Sequence, residues 1–137
     1  MRLRIYTDGA CWGNPGPAAI GVVISDEQQR ELAKISEYIG TGTNNQAEYR
    51  AVIAALKTAL KFEPTEVILC LDSELVVRQM NGRYRVKSQS LSPLYNEAVQ
   101  LSRRFANLCI VHVGRAENTQ ADALATAALR RFAKQGS

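Results

Sequence analysis

Asp8, Glu48, Asp72 and Asp122 each fall where an apolar pattern meets a break in it. Taken singly, they have ordinary explanations. Asp8 before Gly9 suits an Asx turn, and Glu48 in the first turn of a helix complements its dipole. Asp72 can cap a helix, and Asp122 can close a Thr119-x-x-Asp box. Taken together, they make a different case. Like charges at about 4 Å cost about 4 kcal/mol per pair at an effective dielectric of about 20, and a divalent cation removes that cost. All-oxygen ligands, with a single histidine in the chain and no CxxC pair, point to Mg²⁺ or Mn²⁺ rather than zinc. Four carboxylates suit two such ions, which at about 3.5–4 Å apart can activate a water and stabilise the leaving oxygen of a phosphodiester.

These acids meet only if the chain folds in a particular way. Leu3, Ile5 and Thr7 alternate with Arg4 and Tyr6, so a first strand is expected to end at Asp8, before a loop rich in turn residues through Pro17. Ala19 to Ser25 and Glu31 to Ile39 read as two further strands about a polar turn, and Gly40 to Thr43 breaks the pattern. Thr43-Asn-Asn-Gln46 has the form of a capping box, so a helix follows, with Ala47, Ala51, Ala54, Ala55, Leu56, Ala59 and Leu60 on its apolar side until the Pro64 region. Val67 to Leu71 is a short apolar run of the buried parallel kind ending at Asp72. Ser73 or Asp72 can cap the next helix, which Asn81-Gly82 closes. Leu94, Ala98, Leu101 and Phe105 recur at helical spacing. Leu108 to Val113 is the last strand, Thr119 to Phe132 the closing helix, and Lys134 to Ser137 are expected to fray.

The order β-β-β-α-β-α-α-β-α places an antiparallel meander before βαβ crossovers. The fold class is therefore α/β, a mixed five-stranded sheet of three antiparallel strands and then parallel strands, flanked by helices. Ligands of such sheets bind beyond the carboxyl ends of the strands, where neighbouring parallel strands would bring Asp8 and Asp72 to one edge. At 137 residues the chain is expected to be one catalytic domain, 1–137. Cys11, Cys70 and Cys109 are odd in number and widely spaced, which excludes a disulfide framework; Cys70 and Cys109 are expected in the core and Cys11 exposed. The longest apolar run, Ala18 to Ile24, is too short for a membrane span, and a cytoplasmic monomer is expected. A net charge of +4 is compatible with a polyanionic partner.

TDGACWGNPGP, TGTNNQAEYRAVIAAL, LDSELVVRQMNG and RAENTQADALA resemble, in order and spacing, the four motif blocks of the ribonuclease HI (type 1 ribonuclease H) family, and the resemblance spans essentially the whole chain. It implies a ribonuclease H-like fold and a hybrid-specific endoribonuclease that leaves a 3′-hydroxyl and a 5′-phosphate. It makes Asp8, Glu48, Asp72 and Asp122 the metal-binding carboxylates. It also implies an RNA–DNA hybrid as partner, with Asn14, Asn44, Asn45, Gln46 and backbone groups of Gly9, Ala10 and Cys11 at sugar hydroxyls and base edges of a wide minor groove. Helix capping is the competing reading for Asn45, and Thr43 is both cap and candidate ligand of a DNA phosphate.

Two departures from the family follow. Only Arg83, Arg85 and Lys87 stand where many relatives carry a long basic protrusion, so a compact form is expected, without that protrusion and without an N-terminal hybrid-binding domain. Many relatives also carry a mobile catalytic histidine in the loop before the last carboxylate. Here His112 falls inside a strand pattern, where a hydrogen-bonded sheet residue is the plainer reading, and Arg115 is better placed in the loop. An ungapped count back from Asp122 instead puts His112 in that role, so both assignments stand at this point. Arg115 could hold a phosphate but not shuttle a proton. Two rival functions are weaker. A mere nucleic-acid-binding module gains nothing from clustered negative charge, and a phosphatase of the aspartate type wants a second aspartate at position 10, which is alanine. No GxxxxGK[ST] phosphate loop occurs.

Overall fold

The computed structural model describes residues 1–135. In order, the elements are β1 (Arg2–Cys11), β2 (Gly16–Ser25), β3 (Glu31–Gly42), α1 (Asn44–Leu60), β4 (Glu66–Leu71), α2 (Glu74–Met80), α3 (Ser92–Ser102), β5 (Leu108–His112), a single 3₁₀ turn at Arg115–Glu117, and α4 (Thr119–Gln135). The strands form one sheet in the order β3-β2-β1-β4-β5, with β1–β2 and β2–β3 antiparallel and β1–β4 and β4–β5 parallel. This is the mixed architecture expected from the element order.

Alternation along β1 sends Leu3 and Ile5 to the face covered by α1, where they join Val22, Ile24, Val52, Leu56, Val67, Leu69 and Leu71 in the main core. The other face is covered by α4, which packs across β2, β1 and β3 and contributes Ala128 and Leu129 against Ala19. A stack of Tyr38 on Phe132, ring centroids 3.9 Å apart, fastens the far end of α4 to β3.

Several boundaries differ from the sequence reading, each for a local reason. β1 does not stop at Asp8. It runs on to Cys11, because β2 continues the antiparallel ladder through Asp8–Gly21 to Cys11–Ala18. β3 likewise passes through Gly40 to Gly42; Ala18 pairs with Gly40 and Ala19 with Tyr38, so one extra residue, Ile39, is absorbed as a bulge. Phe105 lies beyond the end of α3 but still packs on the core. Cys109 is exposed rather than buried, on the edge strand β5, whereas Cys70 is buried as expected. Cys11 is half-buried, its thiol turned to the carbonyls of Gly13 and Gly42. α4 remains helical through Lys134 and Gln135, against the fraying expected there; Gly136 and Ser137 lie outside the described residues. None of the described helices is long and apolar enough to cross a membrane.

Candidate active site

Register brings the first two acids together. The parallel ladder of β1 and β4 ends at the rung Thr7–Leu71, so Asp8 and Asp72 are the next residues on two adjacent strands. The capping explanation of Asp72 falls, because Ser73 takes that role, its Oγ accepting the Val76 N–H at 3.3 Å. The Asx-turn explanation of Asp8 falls with its place inside β1.

Glu48 is delivered by α1. The capping box is complete: Thr43 Oγ1 accepts from the Gln46 N–H at 3.2 Å, and Gln46 Oε1 accepts from the Thr43 N–H at 2.9 Å. With its start fixed, α1 lies directly on β1 at Gly9, where a Cβ would stand 2.5 Å from the Ala47 carbonyl carbon. That contact lets Glu48 turn back to the strand, and its Oε1 accepts the Gly9 N–H at 3.0 Å. Glu48 is thus buried and committed to β1 rather than exposed as a helix-dipole partner. Its second oxygen, Oε2, is buried with no hydrogen-bond partner.

Carboxylate oxygens of Asp8, Glu48 and Asp72 lie within 4.8 Å of one another. Burial, and then the charges of Glu48 and Asp72, push the Asp8 carboxyl up to about 9. Burial also raises Glu48, to about 7, against the pull of the Gly9 N–H and the Arg115 charge. Such a group of carboxyls resists ionisation until a positive charge joins it. The orphaned Glu48 Oε2 and the all-oxygen donor set fit a hard divalent cation.

Asp122 completes the group from the other face. It stands outside the tight trio, exposed, but within hydrogen-bonding reach of the Asp8 side chain. Thr119 is already helical, so it does not cap α4; instead the Asp122 N–H donates to the Asn118 carbonyl at 3.1 Å. The first turn of α4 rests on Gly21, the β2 partner of Asp8, where a Cβ would lie 2.0 Å from the Ala121 carbonyl oxygen.

An open cleft of about 530 Å³ is lined by the four acids together with Gly9, Ala10, Cys11, Asn44, Asn45, Ser73 and Arg115. Arg115 therefore shares the cleft with the carboxylates. His112 lies at the end of β5, paired with Leu71 of β4, exposed and outside the cleft lining. Asn14 does not line the cleft but braces it, its Oδ1 accepting the Asn44 N–H at 3.0 Å. Thr43 and Gln46 are occupied by the cap, and Arg83, Arg85 and Lys87 are exposed on the segment after α2, away from the lining. Asn118 escaped the sequence reading, and Ser73 entered it only as a helix cap.

A family model described as reverse transcriptase-like matches residues 6–128. A ribonuclease H of a Shewanella species is 34% identical over 140 residues, covering 92% of this chain and 86% of its own length. The chain belongs to the ribonuclease H family. The bifunctional protein Rv2228c of Mycobacterium tuberculosis is 42% identical over 138 residues, but this chain spans only 38% of its length. Among solved structures, a ribonuclease H1 designated LC11, in complex with RNA/DNA hybrid, superposes with a TM-score of 0.90 at 43% identity, covering 95% of this chain and 98% of that one. The ribonuclease H fold expected from the motif blocks is therefore the fold observed.

Proposed function

We propose that the chain is an endonuclease that hydrolyses the RNA strand of RNA–DNA hybrids, with Asp8, Glu48, Asp72 and Asp122 holding two divalent cations, Mg²⁺ or Mn²⁺. The observation that carries the reading is the convergence of three carboxylates within 4.8 Å, one with an orphaned buried oxygen, at the floor of a cleft. The ions would supply acidification of water and neutralisation of charge on the leaving oxygen. Hydrolysis adds water across the P–O3′ bond, leaving a 5′-phosphate and a 3′-hydroxyl.

The chain's own groups do the rest. Register and the Gly9 N–H bond hold the trio before substrate arrives, so little reorganisation is needed at the reacting phosphate. Arg115, with five N–H donors and a permanent charge, holds a scissile or product phosphate from the rim without exchanging protons. Asn44, Asn45 and the β1 backbone at Gly9, Ala10 and Cys11 meet the 2′-hydroxyls that distinguish RNA from DNA, with Asn14 bracing Asn44. The relative solved with RNA/DNA hybrid supports that choice of substrate. Thr43 at the start of α1 offers a DNA phosphate a helix terminus, and Arg83, Arg85 and Lys87 follow the hybrid backbone by charge.

The test is cleavage of end-labelled hybrid, duplex RNA, single strands and a phosphomonoester, with Mg²⁺ and with chelator. Mg²⁺-dependent cleavage of the RNA strand of the hybrid is expected, with Asp8→Asn, Glu48→Gln, Asp72→Asn and Asp122→Asn folded and each slower by at least about 10²-fold. Preference for the phosphomonoester, or two of these variants at wild-type turnover in saturating Mg²⁺, overturns the reading.

A further inference from the structure

Three of the four acids are held by the sheet or against it, and Asp122 is not. Asp8 and Asp72 sit beside each other by strand register, and Glu48 is tied to the Gly9 N–H. Asp122 rides on a helix that arrives last in the chain, and its carboxylate is exposed. What fixes it is a neighbour. Asn118 is 1% exposed, and its Nδ2 donates at 2.9 Å to the carbonyl of Thr7, the residue before Asp8 and the last rung of the β1–β4 ladder. The Asn118 carbonyl in turn accepts the Asp122 N–H at 3.1 Å. A single residue thus links the backbone that carries Asp8 to the helical turn that carries Asp122. The same turn also rests on β2, where the contact of Ala121 with Gly21 prevents it from sliding deeper onto the sheet.

We infer that Asn118 is a positioning residue for Asp122: its amide sets the distance between Asp122 and the trio, and so governs the part of cation binding and turnover that depends on Asp122. This rests on the reading of the four acids as cation ligands. The Asn118 Nδ2 donates to the Thr7 carbonyl at the last rung of the β1–β4 ladder. Without it that carbonyl loses a buried hydrogen bond, and the first turn of α4 relaxes away from β1. Displacement of a reacting constellation by about 1 Å can cost about 10²-fold in rate.

The experiment is a double-mutant cycle of Asn118→Ala and Asp122→Asn, read by kcat and KM on hybrid and, separately, by calorimetric titration of the substrate-free protein with Mg²⁺. Expected for Asn118→Ala are a kcat lower by about 10-fold or more, a KM for hybrid within about 3-fold, and weaker Mg²⁺ binding. In the Asp122→Asn background the same change should have little further effect on either readout, because the residue it positions is already disabled. A general structural defect would instead multiply through. Equal factors in both backgrounds overturn the inference, as does unchanged kcat and Mg²⁺ affinity in Asn118→Ala. Should the alanine variant fail to fold by circular dichroism, Asn118→Gln, which keeps the amide but moves it by one methylene, takes its place in the cycle with the same expectations. Absence of hybrid cleavage by the wild-type protein strikes the functional reading, while the calorimetric cycle still decides whether Asn118 acts through Asp122.

Discussion

Replacing Asp8 by asparagine should stabilise the metal-free protein, and by an amount that grows with pH. The Asp8 carboxyl is raised from the ordinary 3.8 to about 9, so between those limits the folded chain keeps a proton that the unfolded chain has released. A group raised in this way costs stability: the penalty is absent below about pH 4, grows by at most about 1.4 kcal/mol per pH unit, and levels off above pH 9. At pH 7 that limit is about 4 kcal/mol. Charges no more than 4.8 Å apart give the same order, at least about 3.5 kcal/mol for each ionised pair at an effective dielectric of about 20. Relaxation and sharing of protons within the trio reduce the net, so Asp8→Asn should gain about 2–4 kcal/mol at pH 7, or about 5–15 °C in Tm. The asparagine nearly keeps the side-chain shape. Thermal unfolding in chelator at pH 5, 7 and 9 should show the two proteins diverging as pH rises. Saturating Mg²⁺ should narrow the gap, because a ligand that binds only the folded wild-type site adds stability there. A variant no more stable than wild type in chelator at pH 9, or a gap independent of pH, would refute the electrostatic account of the trio.

Arg115→Ala should lower kcat on hybrid by about 10-fold or more without removing a limb of the pH-rate profile, with Lys restoring only part, whereas His112→Ala should leave rate and profile nearly unchanged; a kcat collapse confined to the His112 variant would reverse these assignments. Gly21→Ala should cost about 2–4 kcal/mol by chemical denaturation and lower activity as well, since its Cβ would meet the Ala121 carbonyl oxygen at 2.0 Å; wild-type stability would mean that α4 can retreat freely. The triple variant Arg83→Ala, Arg85→Ala and Lys87→Ala should weaken hybrid binding and flatten its salt dependence with kcat intact, and an unchanged salt slope would take that exposed segment off the binding surface.

Much of this was legible in the residues because local rules and global fold agree. Alternation in Leu3, Ile5 and Thr7, the apolar run Val67–Leu71 and the Thr43–Gln46 box each specify an element, and two parallel neighbours then place Asp8 beside Asp72. Boundaries were less legible, since they depend on partners. β1 outruns Asp8 because β2 goes on pairing with it, and β3 survives Gly40 because a bulge absorbs the extra residue. Cys109 reads as core by its neighbours and is exposed by its position on an edge strand. Asn118 was invisible for another reason: a lone asparagine ahead of a helix reads as a cap, and only the fold shows that its amide reaches a strand that lies 111 residues earlier.

The covering of β2 by α4 has a consequence for the life of the protein before it is finished. Sheet and α1 core draw on residues up to Ile110, whereas Ala19 and Gly21 have no cover until the segment from Ala121 onward is made. Chains emerge from the ribosome amino end first, so a nascent molecule can assemble its sheet and three of its acids while still tethered. It gains the fourth only when its closing helix is free to dock. A chain assembled in this order holds the proposed site incomplete until α4 has emerged and docked, on a particle made largely of RNA.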